Sequence, residues 1–371
     1  MGSIALQFQT MSLDSEISRL PQEILVEILL RLPVKSLLNF RRVSKSWHSL
    51  ISSPNFIKNH LQNSTKNWSI THHRIMLTIY DKSDYFLNHF SLHSLLFDPV
   101  SDAINIDDLM KVPWNSVTVR VVGSCNGLLC IVVGGIHLLL LNPTIRKAKL
   151  LRDSGMEMKS DRLFQHGFGF DEANDDYKVV EICFDFENKI ALQAIVMVYS
   201  FKIDSWKRIG DLEGYFTMGR YFTMGTFVFR MGPGTFVNGK LHWLMSLSKG
   251  CTSTPDDIVS LDIETELYGT IEQPDCRGSE PTLGMLGACL CVLRSNWTHG
   301  DLWILKEYGV NESWTKMASI PYIDDPTNYP EMIPLYTLNN GEVLLSFGTL
   351  FVVFNPKDRS LRYPIINNSN Y

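Results

Sequence analysis

The chain has no run approaching the ~18 consecutive apolar residues that a membrane-spanning helix requires, so no membrane partner is expected. It also lacks a surplus of positive charge. Thirty-four Lys/Arg stand against 39 Asp/Glu, a net charge of −5, which gives no reason to expect a nucleic-acid partner. Cysteine is scarce: seven in 371 residues, an odd number that points to free thiols in a reducing compartment. The opening "MGSIALQFQTMSLDSEISRL" has neither the basic start nor the apolar stretch of a signal peptide. Gly2 is followed at position six by Leu6, where an N-myristoylation pattern wants Ser or Thr. A cytoplasmic and/or nuclear protein is expected, with residues 1–17 a disordered extension and Met11 an alternative start.

Catalytic patterns are missing as well. There is no HEXXH and no serine elbow, and "HGFGFD" offers Gly167 and Gly169 without the third glycine of a phosphate loop. His72 and His73 are adjacent, and neighbours in a strand face opposite sides, a poor geometry for one metal. Cys289 and Cys291 share a strand face but lack a second ligand pair, so they read as core thiols. The carboxylates of "DEANDDY" (171–177) read as a solvated turn. No catalytic residue, metal or cofactor is expected.

What is present falls into two unlike parts. Residues 1–70 carry eight Lys/Arg and four Asp/Glu, so the front is mildly basic and the body mildly acidic. In the front, Pro21 opens a helix in which Ile24, Leu25, Val26, Ile28, Leu29 and Leu30 cover about 240° of the helical wheel. One neighbour needs only about 100° of apolar stripe, so this helix must be covered on two sides. Pro33 ends it, a second helix begins near Val34, and Ser44 and then Ser53-Pro54 start two more. Arg41, Arg42 and Lys45 form a basic patch between the second and third helices. About forty residues rarely bury enough surface to fold independently, which favours a module that completes its core against another chain.

Beyond residue 70 the pattern becomes short strands bounded by Gly, Asn, Asp and Pro. A hairpin recurs six times, and aligning Phe97, Leu141, Tyr199, Leu261, Leu305 and Phe354 gives spacings of 44, 58, 62, 44 and 49 residues. That is about the length of a four-stranded propeller blade. The expected fold is therefore a small all-α unit of three to four helices followed by an all-β domain, a six-bladed β-propeller. The longer spacings leave room for a seventh blade, and a pair of β-sandwiches is the alternative.

The front resembles an F-box, the adaptor-binding motif of cullin-based ubiquitin ligases. The resemblance rests on Leu20-Pro21, "EILVEILLRLP", "VKSLLNF", "RRVSKSWHSLI" and "PNFIKNHL". It implies that Leu20, Pro21, Ile24, Leu25, Ile28, Leu32, Pro33, Leu37, Val43 and Trp47 form the face or core that meets a Skp-type adaptor. Sequence does not separate contact residues from supporting ones. "VGSCNGLLCI", "LNPTIRK", "GFGFDEANDDYKVV", "VYSFKIDSWKRI" and "GTFVNGKLHWL" resemble the plant F-box-associated interaction domain, often labelled F-box/kelch-repeat. Apart from Gly134-Gly135, the paired glycines of true kelch blades are missing.

The implied organisation is an F-box at 18–62, a linker at 63–70, the propeller at 71–366 and a tail at 367–371. The resemblance implies a non-catalytic substrate receptor, joined through its adaptor to a cullin and a RING subunit, with an unknown target protein. The rival reading is a ligand-binding propeller or scaffold without ligase function. For the target, one segment stands out: "GYFTMGRYFTMGTFVFRMG" (214–232) contains YFTMG twice. Tyr215, Phe216, Met218, Tyr221, Phe222 and Met224 give it aromatic and soft apolar side chains suited to protein binding. Packing as an extra strand pair is the equal alternative.

Overall fold

The structure is a computed structural model that describes residues 21–66, 73–81, 84–106, 118–157, 159, 161–187, 190–217, 222–223, 226–227, 232–245, 257–274, 281–296, 298–322, 332–347 and 350–367. It divides into two compact units, Met1–His72 and His73–Tyr371.

The first unit holds four helices, α1 (Gln22–Leu30), α2 (Val34–Phe40), α3 (Lys45–Ser52) and α4 (Pro54–Lys66). Their starts follow from the residues that precede them. Pro21 and Pro33 sit at the caps of α1 and α2, where a missing N–H costs nothing. Ser44 Oγ accepts the Trp47 N–H at 3.2 Å and Ser53 Oγ accepts that of Phe56 at 3.3 Å, each satisfying an otherwise orphaned helix donor. The last helix continues to Lys66, beyond position 62 and into the span expected as linker. Leu29, Leu30, Leu37, Ile51 and Phe56 are the fully buried core.

The second unit is a six-bladed β-propeller. Its first sheet contains β1 (Arg74–Asp81), β2 (Asp84–Ser91) and the short β4 (Ile104–Asn105). The second runs β5 (Val119–Cys125), β6 (Leu128–Val133), β7 (His137–Asn142), β8 (Lys147–Leu150). The third runs β9 (Arg162–Asp171), β10 (Asp176–Asp185), β11 (Ile190–Ser200), β12 (Ser205–Arg208). Here β13 (Leu212–Thr217) also pairs with β11, beside its N-terminal half. The fourth runs β16 (Thr235–Val237), β17 (Lys240–Met245), β18 (Asp257–Asp262), β19 (Tyr268–Glu272). The fifth runs β20 (Pro281–Leu286), β21 (Cys289–Ser295), β22 (His299–Leu305), β23 (Trp314–Pro321). The sixth runs β24 (Met332–Thr337), β25 (Val343–Phe347), β26 (Leu350–Phe354), β27 (Leu361–Arg362).

The opening strands of the blades are neighbours in space, β1 beside β5, β5 beside β9, β9 beside β16, β16 beside β20 and β20 beside β24. The ring closes between the sixth blade and the first. Phe90 meets Phe351 edge-on at 5.5 Å, and the Arg362 guanidinium donates to the Leu96 carbonyl at 2.8 Å. Ile366–Asn367 (β28) pairs in parallel with Ser101–Asp102 (β3), so Asn367 is in a strand where a tail was expected.

Turn chemistry repeats with the blades. The outer hairpins of blades two, three, four and six place Arg146, Asp204, Glu266 and Arg359 at φ values from 53° to 62°. Each lies four residues after Asn142, Ser200, Asp262 or Asn355, whose side-chain oxygen accepts a backbone N–H inside the turn. Such side chains mimic a backbone turn and steady the left-handed residue that follows.

Two expectations are corrected. Phe97 does not sit in a strand. It ends a helix, α5 (Leu92–Phe97), capped by Ser91 accepting the Ser94 N–H. Leu92, Leu95 and Leu96 at helical spacing bury one face of it, and a helix thus replaces a strand in the first repeat. Among the described residues the long spacings hold no seventh blade. They reflect the ten- and eleven-residue strands of blade three and the added β13.

Candidate docking face of the helical unit

Helix α1 was expected to be apolar on more faces than one neighbour covers. Leu29 and Leu30 point into the core, with Leu25 and Val26 packed at its edge. The remaining apolar positions stay in solvent. Ile24 is 49% exposed and Ile28 46%, one turn apart on the same side, with Pro21 exposed one turn earlier. Glu27 and Arg31 pair at 3.7 Å on the polar flank.

The expected residues therefore separate into two roles. Leu37 is core, and Leu25, Leu32 and Trp47 are half-buried supports packed against it. Trp47 meets Phe40 edge-on at 5.6 Å, a geometry favoured by the ring quadrupoles. The His60 ring N–H donates to the Leu32 carbonyl at 2.8 Å, satisfying an acceptor left over where α1 ends. Pro21, Ile24, Ile28, Pro33 and Val43 are exposed, Val43 to 55%. Leu20 lies outside the described residues. Val34 (39% exposed) and Ile57 (55%) were not among the expected residues; Val34 directly follows the helix-starting Pro33, and Ile57 lies three residues after Pro54.

On the propeller, Tyr215 and Phe216 belong to β13, where Phe216 pairs in register with Ala191. Phe222 begins β14 (Phe222–Thr223), which pairs with β15 (Thr226–Phe227). Met218, Tyr221 and Met224 lie outside the described residues.

Close backbone approaches and hydrogen bonds hold neighbouring blades together. Gly167 and Gly169, the pair resembling part of a phosphate loop, lie in β9. A side chain at Gly167 would strike Trp243 and Leu241, and one at Gly169 would strike Phe236, all from blade four. Lys178 reaches Asp171 at 2.7 Å and donates to the Ile263 carbonyl at 2.7 Å. Trp206 Nε1 donates to Arg152 O at 2.6 Å, Tyr268 Oη to Gly210 O at 2.6 Å, and Trp314 Nε1 to Glu272 O at 2.8 Å. Each of these links the outer strand of one blade to the chain leaving the blade before it.

His242 is buried, and its Nδ1 donates to the Thr235 carbonyl at 3.0 Å. Its Nε2 then accepts from Tyr308 Oη at 2.7 Å. Loss of water around the ring pulls the His242 pKa down to about 4. Burial pushes the thiols up, Cys125 to about 12 and Cys183 to about 11, so both are protonated and poorly nucleophilic at neutral pH. Cys291 is buried in the core shared by blades five and six. Among the described residues, no group of three His, Cys, Asp or Glu is placed to hold a metal ion.

Residues 73–371 match the family described as F-box associated beta propeller domain, and residues 17–59 match the F-box domain. The chain is an F-box protein. An F-box/kelch-repeat protein of Arabidopsis thaliana is 30% identical over 356 residues, spanning 94% of this chain and 91% of the relative. The F-box protein CPR1 of Arabidopsis thaliana is 28% identical over 351 residues, spanning 90% and 81%. Among solved structures, an oligogalacturonate lyase of Vibrio parahaemolyticus covers 79% of the chain and 74% of its own, at 8% identity and a TM-score of 0.44. The exposed side of α1 is thus a face of the F-box.

Proposed function

We propose that this F-box protein is the non-catalytic substrate receptor of a Skp–cullin–F-box ubiquitin ligase. The observation that carries the reading is the split within the F-box. Ile24, Ile28 and Val43 remain half-exposed on a unit in which, among the described residues, the buried core is five side chains. Apolar surface left over on so small a module is stabilised by association with a second chain. A Skp-type adaptor would cover Pro21, Ile24, Ile28, Pro33 and Val43, and would bring with it the cullin and RING subunits. Leu25, Leu32, Leu37 and Trp47 would hold that face in shape.

The propeller would hold the target protein, with the aromatic segment around Tyr215, Phe216 and Phe222 as the first candidate contact. Receptor action is then a matter of effective concentration: a target held beside the transfer machinery reacts as if it were in the same molecule. Co-purification with a Skp-type adaptor tests the first half. Leu20→Ala with Pro21→Ala is expected to abolish recovery of the adaptor while leaving the propeller folded, and unchanged recovery contradicts the reading. Proximity labelling with the proteasome blocked, compared between wild type and that variant, would identify the target. A target whose turnover is the same in both would contradict the receptor role.

A further inference from the structure

The basic turn between α2 and α3 contributes Val43 to the docking face, but its charges have no part in the account so far. Its sequence is Arg41-Arg42-Val43-Ser44. We propose that Ser44 is a phosphorylation site for a basophilic protein kinase, and that the phosphoryl group weakens docking of the adaptor. The second half rests on the receptor reading above.

The acceptor and its flank are accessible. Arg42, Val43 and Ser44 are exposed, and the Ser44 backbone is extended, at φ −154° and ψ 165°. Two guanidinium groups stand two and three residues before the hydroxyl, a spacing that suits an acidic substrate pocket because each can form bidentate pairs with carboxylates. The other serines of α3 and its C-cap, Ser46, Ser49, Ser52 and Ser53, lack that arginine pair. In the transfer, Ser44 Oγ forms a bond to the γ-phosphorus of ATP as the bond to the β,γ-bridging oxygen breaks. ADP leaves with that electron pair, and the hydroxyl proton passes to a base of the kinase.

The fold tolerates the product. Ser44 caps α3 through its contact with the Trp47 N–H, and a phosphate at a helix N-terminus supplies further acceptors in a favourable dipole. Arg41, Arg42 and Lys45 adjoin it in sequence, and Arg41 already reaches His48 across the first turn of α3 at 3.2 Å.

Docking is affected instead. The phosphate adds about two negative charges next to Val43, one of the apolar residues to be covered. Burying a dianion at the rim of an apolar contact is costly unless the partner supplies cations. The partner is expected to supply the opposite. Residues 21–66 carry seven Lys/Arg against two Glu, so a surface complementary to this unit is acidic.

The test treats the purified full chain with a basophilic kinase and ATP, maps the label by mass spectrometry and titrates each form with a Skp-type adaptor. The expected result is label on Ser44 and an affinity at least fivefold weaker. Ser44→Asn keeps a capping oxygen and should take no label there, with adaptor affinity unmoved by kinase treatment. Far-ultraviolet circular dichroism should show equal helix content in all forms. Label on other residues alone, or a change smaller than fivefold, overturns the proposal. If the unmodified chain does not bind adaptor at all, the receptor reading fails and the switch with it, a result the titration of untreated protein reveals separately.

Discussion

The indole of Trp243 lies so close to Gly167 that a Cβ placed there would come within 2.8 Å of Cζ2, and one at Gly234 within 2.6 Å of Cε2. The two glycines themselves form a parallel bridge, with the Gly234 N–H donating to the His166 carbonyl at 2.7 Å. Blade three therefore meets blade four by backbone approach under a flat, buried ring. Gly167→Ala should force the indole and the Leu241 methyls aside in a packed core. The expected cost is about 1–3 kcal/mol, read as a lower denaturant midpoint of the propeller transition, and an unchanged midpoint would show that the interface yields freely.

A pH dependence follows from His242. Its folded pKa, about 4, lies below the ordinary histidine value near 6.5, so the unfolded chain binds its proton first. Stability from the neutral ring is complete above pH ~6.5 and is lost as pH falls toward 4, by up to about 3 kcal/mol. His242→Gln should be less stable at pH 7 but show a flatter melting profile between pH 6.5 and 4. A variant whose profile parallels wild type in that window would remove His242 from the explanation.

The indole links between outer strands are individually modest. Trp206→Phe and Trp314→Phe each delete one N–H that donates to a carbonyl of the preceding blade while keeping most of the ring. Each should cost about 1 kcal/mol. The sites are far apart in sequence and share no partner, so the double variant should show the sum. Coupling well above that sum would mean that the outer rim acts as one unit.

Within the F-box, support and contact residues should part company. Trp47→Ala removes a ring packed on Phe40 and should destabilise the helical unit by about 2 kcal/mol. Ile24→Asp changes a half-exposed position and should leave the helix content of the isolated chain unchanged. Equal loss of ellipticity in the two variants would contradict the division.

Much of this was readable from residue patterns, for identifiable reasons. Ser44 and Ser53 announced their helices because a capping oxygen next to an apolar-periodic stretch has few other uses. Blade length was readable because one hairpin recurs along the chain, and in blades two, three, four and six its turn carries an Asn, Asp or Ser four residues before the left-handed position. The first repeat misled because "SLLF" suits a strand as well as a helix. Only the i, i+3, i+4 spacing of Leu92, Leu95 and Leu96 behind Ser91 distinguishes them. The purpose of Gly167 was not readable, since it depends on Trp243, 76 positions later in the chain. The surplus apolar arc of α1 was legible, but which part of it stays uncovered required knowing where α2, α3 and α4 pack.

Titration of a Skp-type adaptor into wild type and into Ile24→Asp/Ile28→Asp tests the central claim most directly. The account predicts binding by wild type and at least a hundredfold weaker binding by the double variant, with helix content and propeller melting unchanged. Equal affinity for the two proteins would contradict it.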